Sequence, residues 1–263
     1  MKDSYKGMWT LLAVAFVAFF AYSAYDGDLS LAGHSLKHSR LFQALVGDDR
    51  TAATPPAKVT AAELAAAAPE RAAEPDTMPK TILFIGDSML EGLSPRLAAY
   101  CQASGHKLYT VIWYSSTSQH WGSTDRLRSY IRTVSPDYIF ICLGANELFV
   151  SDIINKRTGF VKNMLADIGD IPYLWIGPPN WKEDTGVNRM IADNSAPGTF
   201  FLSDGMQFER KRDGAHPTSA SAAQWLDSVV RWMPRYSAHP ILMRTPEKTT
   251  ARPARVFIHQ PDE

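Results

Sequence analysis

A hydroxyl, an imidazole, a carboxylate and a carboxamide can together attack a carbonyl carbon, move the proton and hold the oxyanion that forms. This chain carries all four groups in three short clusters. Ser88 closes Ile85-Gly86-Asp87-Ser88, directly after the apolar run Ile82-Leu83-Phe84. Gly144-Ala145-Asn146-Glu147 ends a second apolar run, and Asp213-Gly214-Ala215-His216-Pro217 lies further along. A serine hydroxyl is a weak nucleophile until a neighbouring base takes its proton. His216 is the candidate base. Asp213, three residues earlier, can accept from one ring nitrogen while the other faces Ser88. Asn146 can donate to an oxyanion beside the Ser88 amide, and Gly144 would let the backbone come close to a substrate. Taken alone, Ser88 also reads as a helix N-cap, a position that serine favours. Asp87 and Glu147 read as structural groups that bond loop backbone.

These clusters need a scaffold that brings them together. Short apolar runs predict strands over 81–85, 108–113, 138–143, 173–177 and 199–202; amphipathic stretches predict helices over 88–104, 124–134, 155–168, 185–194 and 218–233. Strand and helix alternating five times predict an α/β fold of three layers: a five-stranded parallel sheet with helices on both faces. The strands are continuously apolar rather than alternating, which fits burial on both sides. Open sheets of this kind place their chemistry beyond the carboxyl ends of the strands, where Ser88 and Asn146 fall. In a strand-to-helix turn the first amides lack intrahelical partners and point at developing negative charge. His120, Trp121, Phe149 and Trp181 fall in loops expected to rim this crevice, where aromatic rings either stack on sugars or simply pack. Gly177-Pro178-Pro179-Asn180 would shape one wall, and Arg210-Lys211-Arg212 reads as a solvated charge run.

With these residues in view, the chain resembles the SGNH (GDSL-like) hydrolases. Gly86-Asp87-Ser88 resembles their first sequence block, Gly144-Ala145-Asn146-Glu147 the third, and Asp213 to His216 the DxxH of the last. The resemblance covers about residues 80–232. It implies a flavodoxin-like sheet, a triad of Ser88, His216 and Asp213, no metal or other cofactor, and esterase or acyltransferase activity on O-acyl groups. The second block departs from the pattern. The family supplies a glycine amide to the oxyanion hole there, whereas this chain has Trp113-Tyr114-Ser115-Ser116-Thr117-Ser118. A backbone amide does not require glycine, so Ser116 is the candidate donor and Ser115 the alternative.

The rest of the chain sets bounds. Its 263 residues carry 27 basic and 27 acidic groups, so no net field recruits nucleic acid. Lys2 and Lys6 precede the uncharged stretch from Met8 to Ala24, and Asp26 and Asp28 follow it. This asymmetry is that of a segment inserted with its start in the cytoplasm. Residues 1–25 are therefore read as a single-pass anchor in the inner membrane with the remainder on the periplasmic side, the alternative being a cleaved leader and secretion. Residues 26–78, rich in Ala, Pro, Glu and Thr over their second half, read as a low-complexity tether. The catalytic domain spans 79–243, and 244–263 read as a polar tail in which Val256-Phe257-Ile258 could dock. Cys101 and Cys142, the only cysteines, fit buried thiols better than a disulfide. No Walker A loop, GxGxxG or HExxH occurs.

The expectation is thus an extracytoplasmic serine esterase or O-acyltransferase acting on acyl groups, acetyl foremost, of an envelope or exported polysaccharide. Ser88, Asp213 and His216 would be catalytic, Asn146 and Ser116 would join Ser88 in the oxyanion hole, and Gly144, Trp121 and Trp181 would line the substrate. Alternatives are a lipid or small-ester hydrolase, and a catalytically silent carbohydrate-binding or scaffold component of an export complex.

Overall fold

The computed structural model of the protein describes residues 7, 9–17, 30–31, 34–35, 56–68 and 74–261. Two compact units are present, Met1–Thr54 and Pro55–Glu263. In the first, residues 9–17 are helical, and Ser30–Leu31 pairs antiparallel with His34–Ser35. No helix among the described residues is long and apolar enough to cross a membrane. The expected anchor over 1–25 falls largely outside the described residues.

In the second unit the elements, in chain order, are α1 (Ala61–Ala67), β1 (Thr81–Gly86), α2 (Leu90–Ser104), β2 (Lys107–Trp113), α3 (Ser118–Gly122), α4 (Arg126–Val134), β3 (Tyr138–Cys142), α5 (Ile153–Ile168), β4 (Tyr173–Ile176), α6 (Val187–Asn194), β5 (Phe200–Phe201), α7 (Ser219–Tyr236) and β6 (Arg255–His259). The strands form one parallel sheet in the order β5-β4-β3-β1-β2-β6.

Side chains alternate across a strand, and here both faces are filled. Ile82 and Phe84 of β1 join Phe140, Leu174 and the inner faces of α2 and α7 in one core; Leu83 and Ile85 join Val111, Ile141, Trp175 and residues of α4, α5 and α6 in the other. This double burial explains why the strands read as unbroken apolar runs. Helix α2 stops at Gly105, whose φ of 77° is a left-handed cap that glycine adopts without a Cβ penalty. Helix α7 starts at Thr218, whose hydroxyl accepts from the Ser221 N–H.

The sheet has six strands rather than the expected five. The added strand, β6, comes from the segment read as a polar tail. It lies parallel to β2, with Val111 opposite Phe257 and Trp113 opposite His259. Phe257 packs on Tyr130 at 5.0 Å, while Val256 and Ile258 on the opposite face stay exposed. The strand is amphipathic and closes the otherwise open edge of β2, a gain visible only once β2 is seen to need a partner. Main-chain bonds from Ala251 to Pro95 and from Ala254 to Leu108 lead the segment into place. The last part of the expected tether is also docked. Glu63 of α1 forms a two-oxygen contact with Arg189, and the Asp76 backbone bridges to Ile241.

Candidate active site

In the order β5-β4-β3-β1-β2 the connections leave β1 and β3 in opposite directions, and it is beyond the carboxyl ends of such neighbouring strands that open parallel sheets place their sites. Ser88 sits in the turn after β1 and Asn146 in the loop after β3. His216 arrives from the loop ahead of α7. The Ser88 Oγ lies 2.7 Å from His216 Nε2, and His216 Nδ1 lies 3.0 Å from Asp213 Oδ2. The Ser88 N–H has no acceptor among the described residues, which leaves it able to donate to an incoming oxyanion.

The loop that presents His216 is closed on itself. Asp213 Oδ1 accepts the N–H groups of Ala215 and His216 at 2.8 and 2.9 Å, so one carboxylate shapes the turn and orients the ring together. The two backbone donors, with the His216 ring, hold the Asp213 carboxyl down at about 2. Side-chain exposures of 29% for His216 and 47% for Asp213 leave this half of the crevice open to solvent.

Arg210, expected to be a solvated charge, is instead a staple. Its guanidinium donates to the Ala215 carbonyl within the loop, and to the Pro179 and Asn180 carbonyls at 3.0 and 3.2 Å in the loop after β4. A planar fork with several donors suits three carbonyls from two loops. Nothing in the run Arg210-Lys211-Arg212 marks this role, because the acceptors are backbone atoms of another loop.

Ser116, expected as the second oxyanion donor, and Ser115, its alternative, are engaged differently. The Ser116 N–H is used within its own turn, donating to the Trp113 carbonyl at 3.1 Å, and the Ser116 hydroxyl is buried and accepts from Trp121. Ser116 is therefore not a free donor. Ser115 is: its N–H has no acceptor among the described residues, and its φ of 58° is the left-handed state that glycine adopts freely. For serine that state costs about 1–2 kcal/mol. The position where the SGNH pattern leads one to expect a glycine thus keeps the glycine-like backbone with a serine in it.

Asn146 Nδ2 donates to the Ser116 carbonyl at 3.0 Å and to Asp87 Oδ2 at 3.3 Å. The first bond ties the β3 loop to the β2 loop. The second is long for a hydrogen bond. Asp87 is fully buried, accepts the Met89 N–H at 2.9 Å, and has its carboxyl pushed up to about 7, mainly by burial and further by the Glu147 charge. Glu147 is buried as well and accepts from the backbone N–H and hydroxyl of Ser118.

Gly144 has φ 118°, and a Cβ there would meet Val187 Cγ1 at 2.8 Å and Pro178 Cγ at 3.2 Å. Protein side chains, not open space for a ligand, occupy the room its missing side chain leaves. Trp121, expected on the rim, is completely buried. It lies edge-on to Trp113 with centroids 5.5 Å apart and donates to Ser116 Oγ at 3.0 Å, so it is a core residue beneath the loop after β2. Its one-turn helix α3 is too short to show a facing pattern in sequence. His120 is engaged in a capping box with Thr117. Trp181 is half-buried, with its indole N–H bonded to the Ala145 carbonyl at 2.9 Å, one residue before Asn146. Phe149 is 58% exposed, and the Lys182 ammonium lies over both rings, 5.3 Å from Phe149 and 4.7 Å from Trp181. Cys101 and Cys142 are buried free thiols, both pushed up in pKa by burial.

No protein-family model and no curated protein matches the chain. Solved structures do resemble it. The psychrotrophic esterase EstA from Pseudoalteromonas sp. is 20% identical, with a TM-score of 0.41, covering 58% of this chain and 98% of that one. The lipase/acylhydrolase from Enterococcus faecalis is 16% identical, TM-score 0.47, covering 65% and 100%. A Clostridium thermocellum family 3 carbohydrate esterase is 16% identical, TM-score 0.43, covering 59% and 94%.

Proposed function

We propose that this chain is a serine hydrolase of the SGNH type that cleaves or transfers O-acyl groups, acetyl groups foremost, on an extracytoplasmic carbohydrate polymer. The observation that carries this reading is the unbroken relay from Ser88 Oγ through the His216 ring to Asp213, with contacts of 2.7 and 3.0 Å.

In the reaction His216 Nε2 takes the Ser88 proton as the oxygen attacks the acyl carbonyl, and the tetrahedral oxyanion is held by the Ser88 and Ser115 amides and Asn146. Collapse breaks the ester bond. The departing sugar oxygen takes the proton from His216, leaving acyl-Ser88. Water or a second sugar hydroxyl then gives its proton to His216 and attacks the acyl carbon; the acyl-Ser88 bond breaks, and the Ser88 oxygen takes the proton back from His216 as the acid or the acylated sugar leaves. Asp213 stays ionised throughout, fixes the ring tautomer and steadies the imidazolium.

A bulky, polar substrate is favoured by the solvent-open side of the triad, by Trp181 bonded to the carbonyl of Ala145 next to Asn146, and by the exposed Phe149 that shares Lys182 with it. Sugar rings present C–H faces that stack on such aromatic rings. An extracytoplasmic site at the inner membrane is favoured by the lysines before and aspartates after the uncharged stretch 8–24, and by the apolar helix over 9–17, whose Trp9, Leu11, Leu12 and Val14 are more than half exposed. Incubating the protein with an acetylated oligosaccharide, with and without an unacetylated acceptor sugar, tests the proposal. Free acetate marks an esterase, acetylated acceptor marks a transferase, and neither product refutes it.

A further inference from the structure

We propose that Glu147 is a positioning residue that holds the Ser115 amide in the oxyanion site, doing by side-chain clamping what a glycine would do by backbone freedom. This inference rests on the hydrolase reading above.

The loop after β2 is pinned at both ends. Upstream, the Tyr114 N–H donates to the His259 carbonyl of β6 at 3.0 Å. Downstream, Glu147 Oε2 accepts the Ser118 N–H at 2.9 Å and Glu147 Oε1 accepts the Ser118 hydroxyl at 2.8 Å. Between these points the turn closes through the Ser116 N–H on the Trp113 carbonyl, and Ser115 takes its positive φ of 58°. Asn146, the residue before Glu147, holds the Ser116 carbonyl at 3.0 Å. Two successive side chains of the β3 loop therefore grip Ser116 and Ser118, on either side of Thr117, where the β2 loop runs into α3.

Glu147 has a relative exposure of only 1%, and its one ion-pair partner among the described residues is Arg157, with Nε 3.4 Å from Oε1. A buried carboxylate is poor value for stability alone, since an apolar residue of the same size would often serve as well. What the carboxylate adds is two acceptors aimed at one residue. Released from that grip, Ser115 would relax to a negative φ and its N–H would turn away from the reacting carbonyl. With glycine at 115 the clamp would matter far less, because glycine occupies positive φ about as readily as negative.

The test is a double-substitution cycle on the full chain with p-nitrophenyl acetate. Glu147→Ala should lower kcat by about tenfold to a hundredfold, less than the full loss of a donor, with KM within about twofold. Adding Ser115→Gly should raise kcat in the Glu147→Ala background by a factor at least about fivefold larger than it does in the parent. Glu147→Gln, which keeps one acceptor, should fall between. Should Glu147→Ala not fold, Ser118→Ala, which removes the hydroxyl donor alone, enters the same cycle. Equal effects of Ser115→Gly with and without the clamp overturn the inference, as does a kcat loss accounted for entirely by the fraction of sites titrated with a phosphonate. Full activity in Ser88→Ala would instead refute the hydrolase reading, so the two failures are distinct.

Discussion

Ser88 Oγ lies within 2.7 Å of His216 Nε2 although the two residues are 128 positions apart in the chain. A hydroxyl and an imidazole so placed suit a nucleophile with its base, as the proposed mechanism requires. Ser88→Ala should lower hydrolysis of p-nitrophenyl acetate by about 10⁴-fold or more, leaving only what binding and the oxyanion donors supply. Thermal unfolding should change little, because one hydrogen bond contributes about 1 kcal/mol net. Retained turnover would remove Ser88 from the mechanism.

In the proposed mechanism Asp213 acts on the His216 ring rather than on substrate. Asp213→Asn keeps an acceptor for the Ala215 and His216 amides but sets an amide donor against Nδ1, favouring the tautomer with its proton on Nε2. The expected loss in kcat is roughly 10³- to 10⁴-fold with KM nearly unchanged. A loss in KM alone would point to a binding role.

Burial of Asp87 makes stability depend on pH in a direction that can be worked out. Its carboxyl is lifted to about 7, whereas in the unfolded chain it titrates near 4. Between these values the folded state keeps a proton that the unfolded state has released. The contribution of Asp87 therefore weakens as pH rises from about 4 to about 7, by at most about 1.4 kcal/mol per pH unit, and is level above that. Asp213, held low, has the opposite sign: its contribution is present above about 4 and is lost as pH falls toward 2. Urea unfolding at pH 5 and pH 7.5 should show the first slope in the parent and a smaller one in Asp87→Asn. The same slope in both would contradict the assignment.

Trp121 and Trp181 should separate cleanly. Trp121→Ala removes a fully buried indole and should cost about 3–5 kcal/mol of stability. Trp181→Ala should raise KM for an acetylated oligosaccharide several-fold more than KM for p-nitrophenyl acetate. Comparing denaturation midpoints with the two KM ratios decides it, and a uniform effect on both substrates would remove Trp181 from sugar binding.

Arg210 offers a test of loop anchoring. Arg210→Lys keeps the charge but not the fork, so it should recover little of the activity lost in Arg210→Ala, a loss of about tenfold in kcat if His216 drifts. Full recovery by lysine would mean that charge alone matters.

The residues that meet at this candidate site were legible along the chain. Ser88, Asn146 and the Asp213/His216 pair each sit at a loop whose flanking elements announce themselves, Ser88 and Asn146 after buried strands, His216 before a capped helix. Unbroken apolar runs and amphipathic stretches are local signals, and so is the three-residue spacing of Asp213 and His216. The parallel α/β arrangement followed from them.

Other features were decided by contacts between distant residues. Val256-Phe257-Ile258 becomes a strand because β2 offers an open edge, not because five residues of tail specify one. Arg210 becomes a staple because the carbonyls of Pro179 and Asn180 come within its reach. Trp121 lies in the core and Phe149 at the surface, a distinction that residue type leaves open. The choice of Ser115 over Ser116 as the free amide rests on a turn closed onto Trp113 and a backbone angle of 58°. Periodicity and residue chemistry are properties of neighbours in sequence, and the chain states them directly. Pairing partners, burial and the sign of φ are set by forces between segments that meet only when the sheet is assembled, and those the tertiary structure alone decided.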